Sequence, residues 1–310
     1  MRKVIFIFLI FSLTGPVICC KEGGVDPLKI EEQEKKDQER KEQDERRERQ
    51  ANAIHNYANF PVRGGFHIPF IKGSTEASFG YYVYIPEDYV NSESEIYPLL
   101  VYLHGSGERG NSSDNPSELD KAIIHGPGKL IRAGNWSSNG RIIIVSAQTD
   151  GGSWRPEQLK EFLTYLQDVY RADINRVYLT GISMGAYGIY EYLGVYGESA
   201  NIAAAIPICG GVPRGFTLNT GEFVNRLAKT PLWAFHGEAD DAVSYRQSVD
   251  IVSAINTHNP RVPAKVTIFP HVGHDSWTMT YDGSGDGKES AYFAPFDQNV
   301  FDWLFQYSTP

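Results

Sequence analysis

At 310 residues the chain can hold one large or two ordinary domains, and its 41% hydrophobic content suffices for a sizeable core. A net charge of −9 argues against nucleic acid as a partner, because phosphate binding needs a basic surface. It leaves neutral substrates open and disfavours polyanionic ones.

The chain opens with "MRKVIFIFLIFSLTGPVICC", where Arg2 and Lys3 precede an apolar run from Val4 to Leu13. That pattern predicts a secretory leader over 1–20, too short to span a membrane comfortably. It ends at Cys19-Cys20 rather than at a small-residue cleavage site, and so resembles a bacterial lipoprotein signal. The small residue usual before such a cysteine is missing, which leaves Cys19 and Cys20 both open; Cys20 is taken as the lipidated one. The resemblance implies an exported protein held on the outer surface of a membrane by its N-terminal lipid. The third cysteine, Cys209 in "AIPICGG", reads as a small buried residue at a strand end, so no internal disulfide framework is expected.

Residues 21–59 read as a spacer. Within them "KIEEQEKKDQERKEQDERRERQ" is almost wholly charged or amide and carries no apolar heptad, which argues against a coiled coil. Pairs such as Glu32 and Lys36 support a solvated helix; a disordered segment is the alternative. Either form would hold a folded domain away from the membrane.

From residue 60 to 310 strands and helices alternate. Strands are predicted at Phe79–Pro86, Tyr97–Gly105 and Arg141–Gln148, and in "NRVYLTG", "IAAAIPIC", "PLWAFHG" and "AKVTIFP". The run in "YPLLVYLHG" is apolar throughout, as in a strand buried on both faces. Leu159, Phe162, Leu163, Leu166, Val169 and Tyr170 recur at helical spacing after Pro156, and "FDQNVFDWLF" closes the pattern. Strand–helix alternation over about 250 residues predicts one α/β domain with a mainly parallel sheet covered on both faces.

Within this pattern "VYLTGISMGAYGIYEYL" places Gly181-Ile182-Ser183-Met184-Gly185 between a strand and a helix. A G-x-S-x-G motif alone is weak. A strand leading in and a helix leading out make it a strained turn whose neighbours must be small. A serine hydroxyl needs a base and an orienting carboxylate, in the chain order serine, acid, histidine. Asp240 or Asp241 follows the strand in "PLWAFHGEADDAVS", and His271 or His274 follows the last strand in "AKVTIFPHVGHDSW". His104 and His236, each ending a strand before glycine, read as hydrogen-bonded structural residues. An oxyanion would take one N–H from Met184 and a second from Ser106 in the loop "SGERG", with Gly105 or Gly107 as alternates. Glu108 and Arg109 in that loop are expected to form a local ion pair that fixes the loop, with substrate binding as the alternative. Trp154 and Trp277 are candidates for stacking on a substrate ring, with core packing as the even alternative.

Together "LHGSGERG", "GISMGAYG", "HGEADDAV" and "GHDSW" resemble the α/β-hydrolase superfamily. More narrowly they are similar to secreted feruloyl and acetyl-xylan esterases, polyhydroxybutyrate-depolymerase-like proteins and the sequences called predicted peptidases. The resemblance covers roughly Phe66 to the C-terminus. It selects Asp240 and His274 as triad partners of Ser183, although Ser244 stands where such proteins often have proline. It implies acyl transfer through an acyl-enzyme without metal or organic cofactor. The substrate implied is an extracellular ester, glycan-linked as in plant cell-wall polysaccharide. A serine peptidase of the same fold and an inactive binding protein are the alternatives.

Overall fold

The computed structural model describes residues 33–38, 40, 41, 44, 65, 67–87, 89, 95–136, 141–219 and 221–310. The leader, Cys20 and most of the spacer lie outside the described residues. Two compact units are separable, one ending at Arg46 and one running from Arg47 to Pro310. In the first, residues 33–38, 40, 41 and 44 are helical and exposed, and Arg40 pairs with Asp37 one turn away at 3.5 Å. No described helix is long and apolar enough to cross a membrane.

The second unit is built on eight strands: β1 (His67–Phe70), β2 (Gly80–Tyr84), β3 (Tyr97–Leu103), β4 (Ile143–Gln148), β5 (Ala172–Ile182), β6 (Ala204–Ile208), β7 (Trp233–Gly237) and β8 (Lys265–Phe269). They form one sheet in the order β1-β2-β4-β3-β5-β6-β7-β8. β1 pairs with β2, and β2 with β4, antiparallel; the remaining neighbours are parallel. The helices are α1 (Gly126–Arg132), α2 (Pro156–Val169), α3 (Met184–Tyr196), α4 (Gly221–Leu227), α5 (Arg246–Asn256), α6 (Trp277–Tyr281) and α7 (Val300–Leu304). This is the mainly parallel α/β sheet that the alternation predicts.

Strand pleating divides the core in two. Leu99, Val101 and Leu103 of β3 face a cluster with Phe162 and Leu166 of α2, Leu193 of α3 and Ile251 of α5. Leu100 and Tyr102 face the other, with Ile206 of β6, Trp233 of β7 and Phe301 and Trp303 of α7. Every residue of β3 is buried, as a strand sandwiched between helical layers must be. α2 follows the same logic, burying Leu159, Phe162, Leu163 and Leu166 on one stripe.

The predicted strands are present, with two differences. β1 escapes sequence detection because "HIPF" is four residues long and contains Pro69, which a sheet tolerates at its edge. β5 starts at Ala172, three residues before "NRVYLTG", because Ala172 already pairs with Tyr97 across an irregularity in the β3 register. Asp173, Asn175 and Arg176, with only Ile174 apolar among them, hide that extension from an apolar pattern.

Phe162 is fully buried, and its ring meets Phe79 and Tyr81 edge-on at 5.3 and 5.5 Å. Phe162→Ala should therefore destabilise the domain by about 3–5 kcal/mol, seen as a lower denaturant midpoint with an unchanged slope.

Candidate active site

Parallel strands deliver their C-terminal ends to one edge of the sheet, and the loops that leave β3, β5, β7 and β8 gather there. β5 ends at Ile182 and α3 begins at Met184, so Ser183 alone makes the turn, at φ 48° and ψ −115°. A non-glycine residue there is strained and must be held by its surroundings. Its N–H donates to the Ile208 carbonyl at 2.9 Å, and its carbonyl accepts the Tyr187 N–H at 3.1 Å. The flanking glycines answer to crowding. A Cβ on Gly181 would lie 2.8 Å from the Leu103 carbonyl oxygen, and one on Gly185 would fall on that same oxygen.

The loop after β7 supplies Asp240, whose side chain is wholly buried. One carboxylate oxygen, Oδ1, accepts the N–H groups of Ala242 and Val243, both at 2.9 Å. The other, Oδ2, accepts from His274 Nδ1 at 2.7 Å and from His236 Nε2 at 3.1 Å. Burial alone would push this carboxyl up. The His274 bond and the two backbone donors outweigh it and hold the group below the ordinary carboxylate range. Asp241 is exposed and its backbone continues the turn.

His274 follows β8 and completes the line. Because a carboxylate can only accept, the proton of the neutral ring sits on Nδ1, and Nε2 is left to accept from the Ser183 hydroxyl at 3.0 Å. His271 is exposed, at φ 62°, and takes no part in the line. The structure thus brings together Ser183, Asp240 and His274, and separates the neighbours that spacing left in competition.

The two structural histidines have both nitrogens committed. His236, buried, donates through Nε2 to Asp240 and to the Val243 carbonyl at 2.9 Å, while Nδ1 faces the Ser248 hydroxyl at 2.8 Å. His104, also buried, donates from Nδ1 to the Gly105 carbonyl at 2.6 Å and accepts the Thr149 N–H at Nε2, 3.1 Å away. Burial lowers both rings below the ordinary histidine range, His104 to about 4. His104 thereby fastens the end of β3 to the loop after β4.

Met184 is the first residue of α3 and Ser106 the first of a short 3₁₀ turn, Ser106–Glu108, so each has an N–H that its own helix leaves unpaired. Gly105 before Ser106 lies against the end of β5: a Cβ there would sit 3.5 Å from the Ile182 side chain. The two N–H groups therefore start turns at adjoining ends of neighbouring strands.

Two expectations are corrected. Trp154 has no exposed surface; its indole N–H donates to the His104 carbonyl at 3.1 Å and its ring meets Phe79 edge-on. It packs into the notch left by Gly188, where a Cβ would come within 2.5 Å, so it cannot stack on a substrate. Glu108 and Arg109 do not pair with each other. Arg109 turns back to donate to the Ser106 carbonyl at 2.8 Å, and Glu108 points toward His125. Trp277, by contrast, is half-buried and meets the His274 ring edge-on at 5.4 Å. Cys209 lies fully buried just after β6, and burial pushes its thiol up, far from a reactive thiolate. No cluster of three or more His, Cys, Asp or Glu among the described residues is arranged for a metal ion.

The chain matches no protein-family model and no curated protein sequence. Among solved structures it is similar to a thermostable esterase, 24% identical over 78% of this chain and 62% of that one, with a TM-score of 0.56. It thus spans less than two thirds of that esterase's length. Two others are the acetyl xylan esterase of Aspergillus awamori, 15% identical over 70% of this chain and 99% of that one at a TM-score of 0.49, and the acylaminoacyl peptidase of Pyrococcus horikoshii, 14% identical over 77% and 43% at 0.45. Sheet order and the first of these likenesses define the fold as that of the α/β-hydrolases.

His104 makes stability depend on pH in a definite direction. Its value is about 6.5 unfolded and about 4 folded, so between the two only the unfolded chain takes up the proton. Its stabilisation is complete above about 6.5 and is lost as pH falls toward 4, on the order of 3 kcal/mol. Melting followed from pH 7 to 4.5 should show a falling Tm, and His104→Gln should flatten that fall; an unchanged slope would assign it to other groups.

Proposed function

We propose that the protein is a serine hydrolase that cleaves carboxylic esters through an acyl-enzyme. The observation that carries this reading is the continuous line Ser183–His274–Asp240, with the serine on a strained turn at a helix N-terminus. Ser183 Oγ attacks the ester carbonyl while His274 Nε2 takes its proton. Asp240 keeps the imidazole in the productive tautomer and stabilises the imidazolium. The N–H groups of Met184 and Ser106 receive the oxyanion, helped by the positive end of α3. His274 then protonates the leaving alcohol, and water, activated by the same nitrogen, releases the acid.

For the substrate we propose an extracellular ester on a glycan, of the acetyl or feruloyl kind. Its support is the exported, spacer-held arrangement predicted from residues 1–59 and the half-open Trp277 beside His274. Neighbouring solved structures include esterases named for xylan and ferulic acid.

Ser183→Ala and Asp240→Asn should each lower p-nitrophenyl acetate hydrolysis by about a thousandfold or more, with Asp241→Asn near wild type. Wild-type rates retained in Ser183→Ala would end the nucleophile assignment, and a peptide amide cleaved in preference to acetylated xylan or methyl ferulate would overturn the ester reading.

Lipidation at Cys20 remains part of the proposal. Cys20→Ser in the full chain should abolish labelling by radioactive palmitate and move the protein from the membrane to the soluble fraction; labelling that survives would shift the assignment to Cys19.

A further inference from the structure

One carboxylate at the edge of the site faces a histidine without a hydrogen bond between them. Glu108 is only 8% exposed, and among the described residues its carboxylate accepts no hydrogen bond. Arg109 donates elsewhere, and the buried Tyr102 hydroxyl, itself unpaired, does not reach it. The Glu108 oxygens are not among the fully buried polar atoms, so water reaches the carboxylate and a ligand's donor can replace that water. The cationic or N–H partner that approaches is His125, whose Nε2 stands 3.8 Å from Oε1, beyond hydrogen-bond reach.

The tautomer of His125 follows from its other nitrogen. Trp277 Nε1 donates to His125 Nδ1 at 3.2 Å, and an indole N–H cannot accept. Nδ1 is therefore bare, and the proton of the neutral ring is on Nε2, facing the Glu108 carboxylate. Whatever bridges that gap must accept from Nε2–H and donate to Oε1 at once. A hydroxyl does both. An ammonium only donates, and would meet the imidazole N–H proton to proton.

The gap also lies beside the proposed acyl-transfer machinery. Glu108 Oε2 covers Gly105, where a Cβ would be 2.9 Å away, and Gly105 precedes Ser106 in the oxyanion loop. The Trp277 ring contacts His125 and His274 together, at 5.2 and 5.4 Å between ring centres. One end of the gap thus borders the oxyanion loop and the other the base. His125 keeps about a quarter of its side chain open to solvent.

We propose that Glu108 and His125 form a hydroxyl-binding subsite that selects esters bearing a free hydroxyl close to the scissile bond, as partly acylated sugars do. This deepens the ester-hydrolase reading and rests on it. Trp277 is the positioning residue: its N–H sets the His125 tautomer, so that donor and acceptor are presented together.

The test compares kcat/KM on monoacetylated methyl xylosides with the singly deoxygenated counterparts, in the full chain and its variants. Wild type should favour the hydroxyl-bearing ester by about 10- to 100-fold, as a hydrogen bond to a charged group allows. In Glu108→Leu the preference should fall to within about 3-fold, and Glu108→Gln should keep part of it. Each ratio is taken within one protein, so a smaller folded fraction cancels; if Glu108→Leu does not fold, Glu108→Gln and His125→Phe decide by the same ratio. A wild-type ratio near one, or a ratio undiminished in the variants, overturns the proposal. If Ser183 is then still labelled by a fluorophosphonate, the hydrolase reading stands without the subsite. If Ser183 is neither labelled nor needed for turnover, that reading falls and the subsite with it.

Discussion

The close approach of Leu103 to the β5–α3 turn organises this site. The carbonyl at the end of β3 occupies the space that side chains at positions 181 and 185 would need, so both are glycine and the turn can fold tightly over its neighbour. The consequence is the left-handed backbone of Ser183, which β3 and β6 hold from either side through parallel pairing of β5. The Ile208 carbonyl on the Ser183 N–H adds a tether from β6. Strain of this kind persists where surroundings over-determine it, and here two strands and a helix do so. The same contact brings the start of the oxyanion loop beside the serine, so one packing constraint positions nucleophile and anion donors together.

Asp240 shows how a buried charge is kept. Its four acceptor directions are filled by two backbone N–H groups and two imidazole N–H groups. Removing any one donor leaves a carboxylate under-satisfied in a dry place, which is why His236, fully buried, belongs to the architecture of the acid. His236 is itself held by the Val243 carbonyl and Ser248, so the acid is braced from α5 as well as from its own loop.

Much of this was legible in the sequence for a topological reason. Parallel strands put their following loops at one edge, so a serine after one strand, an acid after another and a histidine after the last need no distance information to be assembled. The choice within Asp240/Asp241 and His271/His274 did need it, because adjacent residues in a turn point in different directions and spacing carries no direction. Resemblance supplied the choice, and geometry now gives its cause. Trp154 misled because tryptophan serves equally in cores and at substrates; the pairing signal was Gly188 on the facing helix, a notch that fills only with a large ring. β1 was invisible because four residues and a proline lie below any periodicity. Glu108 was visible, but its nearest basic neighbour in sequence, Arg109, is not its neighbour in space.

Four imidazoles around the site divide by what their nitrogens face. His104 and His236 have both committed to protein groups and are sealed from water, which makes them fixed braces. His274 and His125 each have one nitrogen anchored, by Asp240 and by the Trp277 indole. The anchors are opposite in kind, an acceptor for one and a donor for the other. His274 therefore presents a bare nitrogen, fit to take a proton, and His125 presents an N–H, fit to give a hydrogen bond. Trp277 touches both rings, so a single indole links the acceptor of His274 to the donor of His125. The proton that His274 takes is that of Ser183, so a substrate needs a carbonyl at Ser183 and a hydroxyl that accepts from His125 and donates to Glu108, and a hydroxylated ester carries both.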